Sequence, residues 1–163
     1  MKIGMIADTH DNLTAIRKAV KILNENEIDL LIHAGDFVSP FTVEPLKPLN
    51  APLIGVFGNN DGDKVLLKQK YSEKGIGELF DDPYEFEYAA LRILVTHKPA
   101  IVNPMAASGL YDLVVFGHTH KAALEQRRDV WVINPGECCG YLTGRETVAV
   151  FEVERRAAVL LTL

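Results

Sequence analysis

The chain has 163 residues, 48% of them apolar and 24% charged, a balance that fits one domain, residues 1–163, with a sizeable core. The net charge of −5 leaves no basic excess for displacing counterions, which excludes a general nucleic-acid binder but not a small anionic substrate held at a bound cation. No apolar run approaches the ~18–20 residues of a membrane span, and Asp8 rather than a cleavage pattern follows the apolar start, so a cytoplasmic protein with no membrane partner is expected.

In chain order, residues 2–7 read as a short apolar strand. Asn12 then caps a helix that carries Leu13, Ile16, Val20 and Leu23 at helical spacing. Residues 29–34 form the next strand, and residues 41–49 a helical or irregular stretch punctuated by Pro45 and Pro48. A third strand over 53–57 and a charged helix over 63–74 complete a β-α-β-α-β rhythm, the signature of a parallel sheet with right-handed crossovers. The rhythm then changes. Strands are expected over 84–88 and 91–96 about a turn at Ala89-Ala90, followed by a helix over 99–108 and a buried strand over 113–116. Short strands over 122–126, 130–133, 147–154 and 157–163 finish the chain, with Arg155-Arg156 marking the last hairpin. Two mixed sheets packed face to face, with helices outside, account for this number of strands.

Five segments place metal-ligand side chains just after apolar runs: Asp8-Thr9-His10, Gly35-Asp36, Gly58-Asn59-Asn60-Asp61, Thr96-His97 and Gly117-His118-Thr119-His120. Ligands at strand ends make sense because open α/β sheets build their sites beyond the carboxyl ends of the strands. Two carboxylates, one amide oxygen and the imidazoles suit manganese, iron, nickel, cobalt or zinc better than magnesium or calcium. Seven candidates are too many for one ion and about right for two. Two divalent ions facing two carboxylates and a bridging hydroxide leave a centre of roughly +1, which attracts a phosphoester. Taken singly, each segment has a plainer reading as a cap, a turn or a polar core residue. The inference rests on their conjunction.

In this order the segments resemble the calcineurin-like metallophosphoesterase family, and the short form without an added cap resembles its YfcE-like phosphodiesterases. The motifs cover residues 1–120 and the length matches throughout. The resemblance implies an α/β fold, a four-layer α/β/β/α sandwich of two mixed sheets flanked by helices, and a hydrolase acting on a small phosphoester, most readily a phosphodiester. It also implies that Asp8, His10 and His120 hold one divalent ion, that Asn59, His97 and His118 hold a second, and that Asp36 bridges them. A hydroxide between the ions would attack phosphorus in line. Manganese is the first expectation for both ions, with nickel, iron, cobalt and zinc as alternatives.

The chain departs from the family at position 60, where many members carry a histidine that protonates the leaving group. Asn60 can donate a hydrogen bond to a phosphoryl oxygen but supplies no proton near neutral pH. Asn60 and Asp61 are therefore the candidate catalytic pair, with ordering of the loop as the alternative role for Asp61, and Asn60 and Asn12 the candidate substrate contacts. Asn134-Pro135-Gly136 resembles a family turn whose next residue is usually serine. Here it is Glu137, to which no role is given.

His33 reads first as a core histidine and second as a residue orienting a ligand. Arg145 and Lys98 carry only weak expectations of nearness to substrate. Val38, Phe41, Met105 and Leu110 belong either to an apolar rim or to the core, and the adjacent Cys138 and Cys139 read as small, reduced, buried residues. Three other readings compete: a catalytically weak protein-interaction scaffold like a retromer subunit of this fold, a phosphomonoesterase, and a nuclease, which would need a basic groove. A homodimer is the expected form of any self-association.

Overall fold

A computed structural model describes residues 1–163. Eleven strands and four helices follow one another as β1 (Lys2–Ile6), α1 (Leu13–Glu25), β2 (Leu30–His33), α2 (Val43–Leu46), β3 (Leu53–Val56), α3 (Lys64–Glu73), β4 (Gly77–Phe80), β5 (Tyr84–Tyr88), β6 (Leu91–Thr96), α4 (Pro99–Ala107), β7 (Leu113–Phe116), β8 (Ala123–Arg127), β9 (Val130–Asn134), β10 (Thr147–Glu152) and β11 (Ala157–Thr162). The first sheet runs β11-β10-β1-β2-β3-β4 and the second β5-β6-β7-β9-β8. Strands β1 to β4 are mutually parallel, as are β6, β7 and β9, and antiparallel strands close the edges on β10–β11, β5 and β8.

Side-chain alternation along each strand sorts the core into layers. Ile3, Met5, Leu30, Ile32 and Val56 of the first sheet meet Ile93, Val95, Leu113, Val115 and Ile133 of the second, filling the space between the sheets. The opposite face of the first sheet, with Ile6, Leu31, Leu53 and Leu79, packs on Ile16, Val20 and Leu23 of α1 and on Leu67 and Tyr71 of α3. The outer face of the second sheet, with Leu94, Val114 and Val132, packs on Val102 of α4. These three apolar layers define the α/β/β/α sandwich.

Helix α1 begins at Asn12, whose side-chain oxygen accepts from the Ala15 amide, and its buried face of Ala15, Ile16, Ala19, Val20 and Leu23 repeats at helical period. The structure specifies one local reading and adds one strand. The stretch after residue 40 is a 3₁₀ turn, Pro40–Thr42, running into the single turn of α2. Residues 77–80, given no element from the sequence, form the edge strand β4 parallel to β3. Met105 packs against the layer under α4, whereas Phe41 and Leu110 are exposed.

Candidate metal centre

Strands β1, β2 and β3 of one sheet and β6 and β7 of the other point their carboxyl ends at a common edge. The loops there are stitched together: the Asp8 amide donates to Gly35 O at 3.0 Å, the Gly117 amide to Thr96 O at 3.3 Å and the His118 amide to Asp8 Oδ2 at 3.1 Å. The last of these links the two sheets directly. All seven residues singled out for metal are gathered at this edge.

They fall into two groups that share Asp36. On one side the His10 and His120 rings stack with centroids 5.2 Å apart, and their Nε2 atoms lie 3.8 and 3.5 Å from Asp8 Oδ1. On the other side the His97 and His118 rings meet edge to face at 5.1 Å, and Asn59 Oδ1 lies 3.1 Å from His97 Nε2 and 2.9 Å from His118 Nδ1. Asp36 Oδ2 lies between the groups, 3.5 Å from His10 Nε2 and 3.2 Å from His97 Nε2. The ring nitrogens not turned toward these clusters are engaged on the His97 and His120 rings: His97 Nδ1 is 2.7 Å from Ala34 O, and His120 Nδ1 is 2.6 Å from Glu137 Oε2.

Three observations fit divalent cations at this edge. His10 Nε2 is buried with no hydrogen-bond partner although two carboxylates face it, a cost of about 1–3 kcal/mol that a cation between them would remove. Five of the seven residues hold the left-handed backbone region, with φ of 52° at Asp8, 40° at His10, 61° at Asp36, 72° at His118 and 60° at His120. Such strain clusters at working sites. The donors are carboxylate, amide oxygen and imidazole, and ligand atoms of Asp8, Asp36 and His97 lie within 4.8 Å of one another.

Burial pushes the Asp8 carboxyl up to about 6, the charge of Asp36 adding to it and the nearby His97 and His120 opposing it. Burial acts on Asp36 in the same sense, but hydrogen bonds from His97 and Asn60 overcome it and hold its carboxyl well below the usual range. For His97, burial opposes the charged ring, and the contacts with Asp36 and Ala34 O outweigh it and raise its pKa.

The residues around the centre fasten its loops, as the sequence suggested for Asp61. Asn60 donates to Asp36 twice, from its backbone amide to Oδ1 at 2.8 Å and from Nδ2 to Oδ2 at 2.8 Å. Asp61 is buried and accepts from the amides of Gly58 at 2.6 Å, Val38 at 2.7 Å and Asp36 at 3.2 Å, so it anchors the loops on either side of Asp36. The Asn12 amide is engaged at both ends, accepting from Ala15 N as the expected helix cap and donating to Cys139 O at 2.9 Å.

Other residues complete the surroundings. His33 is a buried core histidine whose Nδ1 accepts from the Gly35 amide at 3.2 Å, leaving Nε2 to donate to Thr9 Oγ1 at 3.1 Å. Its ring thereby braces the neighbours of two of the gathered residues. Arg145 is exposed, and Lys98 Nζ pairs with Asp82 at 3.5 Å. A cavity of about 530 Å³ opens beside Asn59, His97 and His118, walled by Phe57, Lys64 and Lys98 among others. Glu137 is the residue that sequence reasoning missed. The available signal was an acid standing alone between Asp129 and Glu146 in a segment of small and apolar residues.

Residues 1–156 match the calcineurin-like phosphoesterase superfamily domain. A phosphodiesterase of Methanocaldococcus jannaschii is 43% identical over 158 residues, covering 96% of this chain and 95% of that protein. A solved structure of an archaeal phosphodiesterase superposes with a TM-score of 0.94 at 42% identity over the full length of both chains. Zinc-complexed Vps29 of Entamoeba histolytica shares the fold at a TM-score of 0.72 and 15% identity, covering 100% of this chain and 98% of that one. With both sheets, their order and the gathered strand ends in place, the chain belongs to the calcineurin-like phosphoesterase superfamily.

Proposed function

We propose that the chain is a phosphodiesterase that works with two divalent cations. Asp8, His10 and His120 would hold one, Asn59, His97 and His118 the other, and Asp36 both. The observation that carries this reading is the place of Asp36 Oδ2, 3.5 Å from an imidazole nitrogen of one group and 3.2 Å from one of the other. When bound, such ions neutralise charge on phosphoryl oxygens and acidify a water in contact with them. Manganese is the proposed metal, and nickel, iron, cobalt and zinc fit the same donors.

The chain's own groups then define the substrate. Asn60 fixes Asp36 with one side-chain N–H and keeps the other for a phosphoryl oxygen. No acid stands at that position, so a leaving group must depart without a strong proton donor, which favours diesters with acidic leaving groups over alkyl monoesters. The cavity beside Asn59, His97 and His118 has room for one arm of such a diester. A scaffold of the same fold needs none of this ligand geometry, and the relative that is 43% identical bears the name phosphodiesterase.

The test is a matrix of metal-stripped protein against several divalent ions and a panel of aryl diesters, alkyl monoesters and cyclic nucleotides. Aryl diesters are expected to turn over fastest with manganese, and Asp36→Ala to abolish turnover. Faster monoester hydrolysis refutes the diester reading, and turnover surviving in Asp36→Ala refutes the shared-carboxylate centre.

A further inference from the structure

Glu137 is fully buried, and its carboxylate meets no lysine or arginine within ion-pair distance. Its single ionic neighbour is His120, with Oε2 at 2.6 Å from Nδ1. The remaining lone pairs are tied down: Leu142 N donates at 3.0 Å, Thr143 Oγ1 at 2.7 Å and Cys139 Sγ at 3.5 Å, and Thr143 N donates as well. The segment is fastened to the first sheet, since Cys138 N donates to Ala7 O at 2.9 Å, Cys139 N to Asp8 O at 3.1 Å and Thr147 N to Glu137 O at 3.1 Å. These donors keep the carboxylate charged, so the His120 ring carries a fixed anion at its Nδ1 side. On the opposite side of the ring, His120 Nε2 faces Asp8.

The two halves of the centre differ in this respect. In the other half His97 Nδ1 rests on a neutral carbonyl, Ala34 O, and no carboxylate stands behind its ring or that of His118. One half therefore has Asp8, the shared Asp36 and Glu137 behind His120, whereas the other has the shared Asp36 with neutral donors.

Resting on the two-ion reading above, we propose that Glu137 is a positioning residue. It fixes Nε2 of His120 as the donor atom, strengthens that donor and makes the His120 half the tight cation site, so that the two ions load in order. A carboxylate behind a ligating histidine has this effect in metal sites generally, and losing it costs about 10–100-fold in affinity.

The experiment is a titration of metal-stripped protein with Mn²⁺, following free ion by its electron paramagnetic resonance signal. Wild type should show two dissociation constants at least about tenfold apart, and Glu137→Gln should weaken the tighter by about 10–100-fold while sparing the weaker. Tyr141→Ala changes an exposed side chain in the same turn that makes no hydrogen bond to Glu137 and should leave the tighter constant near wild type. In cobalt-loaded wild type, the Nδ1 proton of His120 should give a paramagnetically shifted, slowly exchanging resonance, a readout that needs no variant. Unchanged constants in Glu137→Gln, equal weakening of both, an equal effect of Tyr141→Ala, or absence of that resonance would each overturn the proposal. A wild type that binds no divalent ion would instead refute the two-ion reading on which it stands.

Discussion

Replacing Gly58 by alanine tests whether the centre depends on a backbone that passes Asp36 closely. An added Cβ would sit 2.2 Å from Asp36 Oδ1, 2.6 Å from Asp36 N and 2.9 Å from Asp36 Cγ. Carbon and oxygen rest at about 3.3 Å, so the deficit is about 1 Å. Asp36 has nowhere to yield: its oxygens are held by Asn60 N and Nδ2 at 2.8 Å each and its amide by Asp61 at 3.2 Å. Displacing a reacting constellation by about 1 Å costs about 100-fold in rate, and overpacking a filled site costs about 1–3 kcal/mol of stability. At about 2–4 °C per kcal/mol for a chain of this size, Tm should fall by about 2–12 °C. The control is Gly62→Ala in the same loop, where the nearest atom to an added Cβ is Val38 O at 3.7 Å. It should stay within about twofold of wild type. The assay is kcat/KM for an aryl diester at saturating Mn²⁺, with thermal melts alongside. Wild-type turnover in Gly58→Ala would refute the close-approach reasoning.

Two further perturbations separate support from chemistry. Asp61→Asn turns an amide NH₂ toward one of the three N–H groups that Asp61 accepts, so it should cost about 1–3 kcal/mol and lower turnover through Asp36. Because that role involves no proton transfer, the shape of the pH–rate profile should not change; a lost limb would make Asp61 the acid. His33 is held neutral by burial, with the charge of His97 acting in the same direction, so its pKa lies well below 6.5 in the fold. The unfolded chain binds the extra proton below about 6.5, so the stability His33 contributes is fully present above that pH and is lost as pH falls below it. The Tm gap between wild type and His33→Gln should therefore narrow between about pH 7.5 and 5, and a constant gap would rule out a ring kept neutral by burial.

The gathered residues were legible because each follows an apolar strand, and parallel strands deliver their ends to one edge. What surrounds them was legible only in part. Strand β4 is four residues long and pairs only with β3, so its pattern of one buried residue in four looks like loop. The helix cap at Asn12 was legible from its place before an apolar helical repeat, whereas the bonds from Asn60 to Asp36 depend on which loop folds against it. Glu137 is 17 residues beyond His120 and reaches it only because its segment bonds to the end of β1. Pairing of that kind belongs to the tertiary structure, and no local spacing encodes it.

Several departures from good local structure meet at one edge. Left-handed backbone at five of the gathered residues, an unpartnered His10 nitrogen, and the buried Asp8 carboxyl, pushed up by desolvation, are each unfavourable alone. Elsewhere the chain buries its apolar faces in three ordinary layers. Positive charge at that edge would remove two of these costs, the unpartnered nitrogen and the buried Asp8 carboxylate. The likeness to Vps29 at 15% identity shows that the sandwich can be retained by very different sequences. What commits this chain to chemistry is therefore the set of side chains at its strand ends and the residues, Asn60, Asp61 and Glu137, that hold them in register.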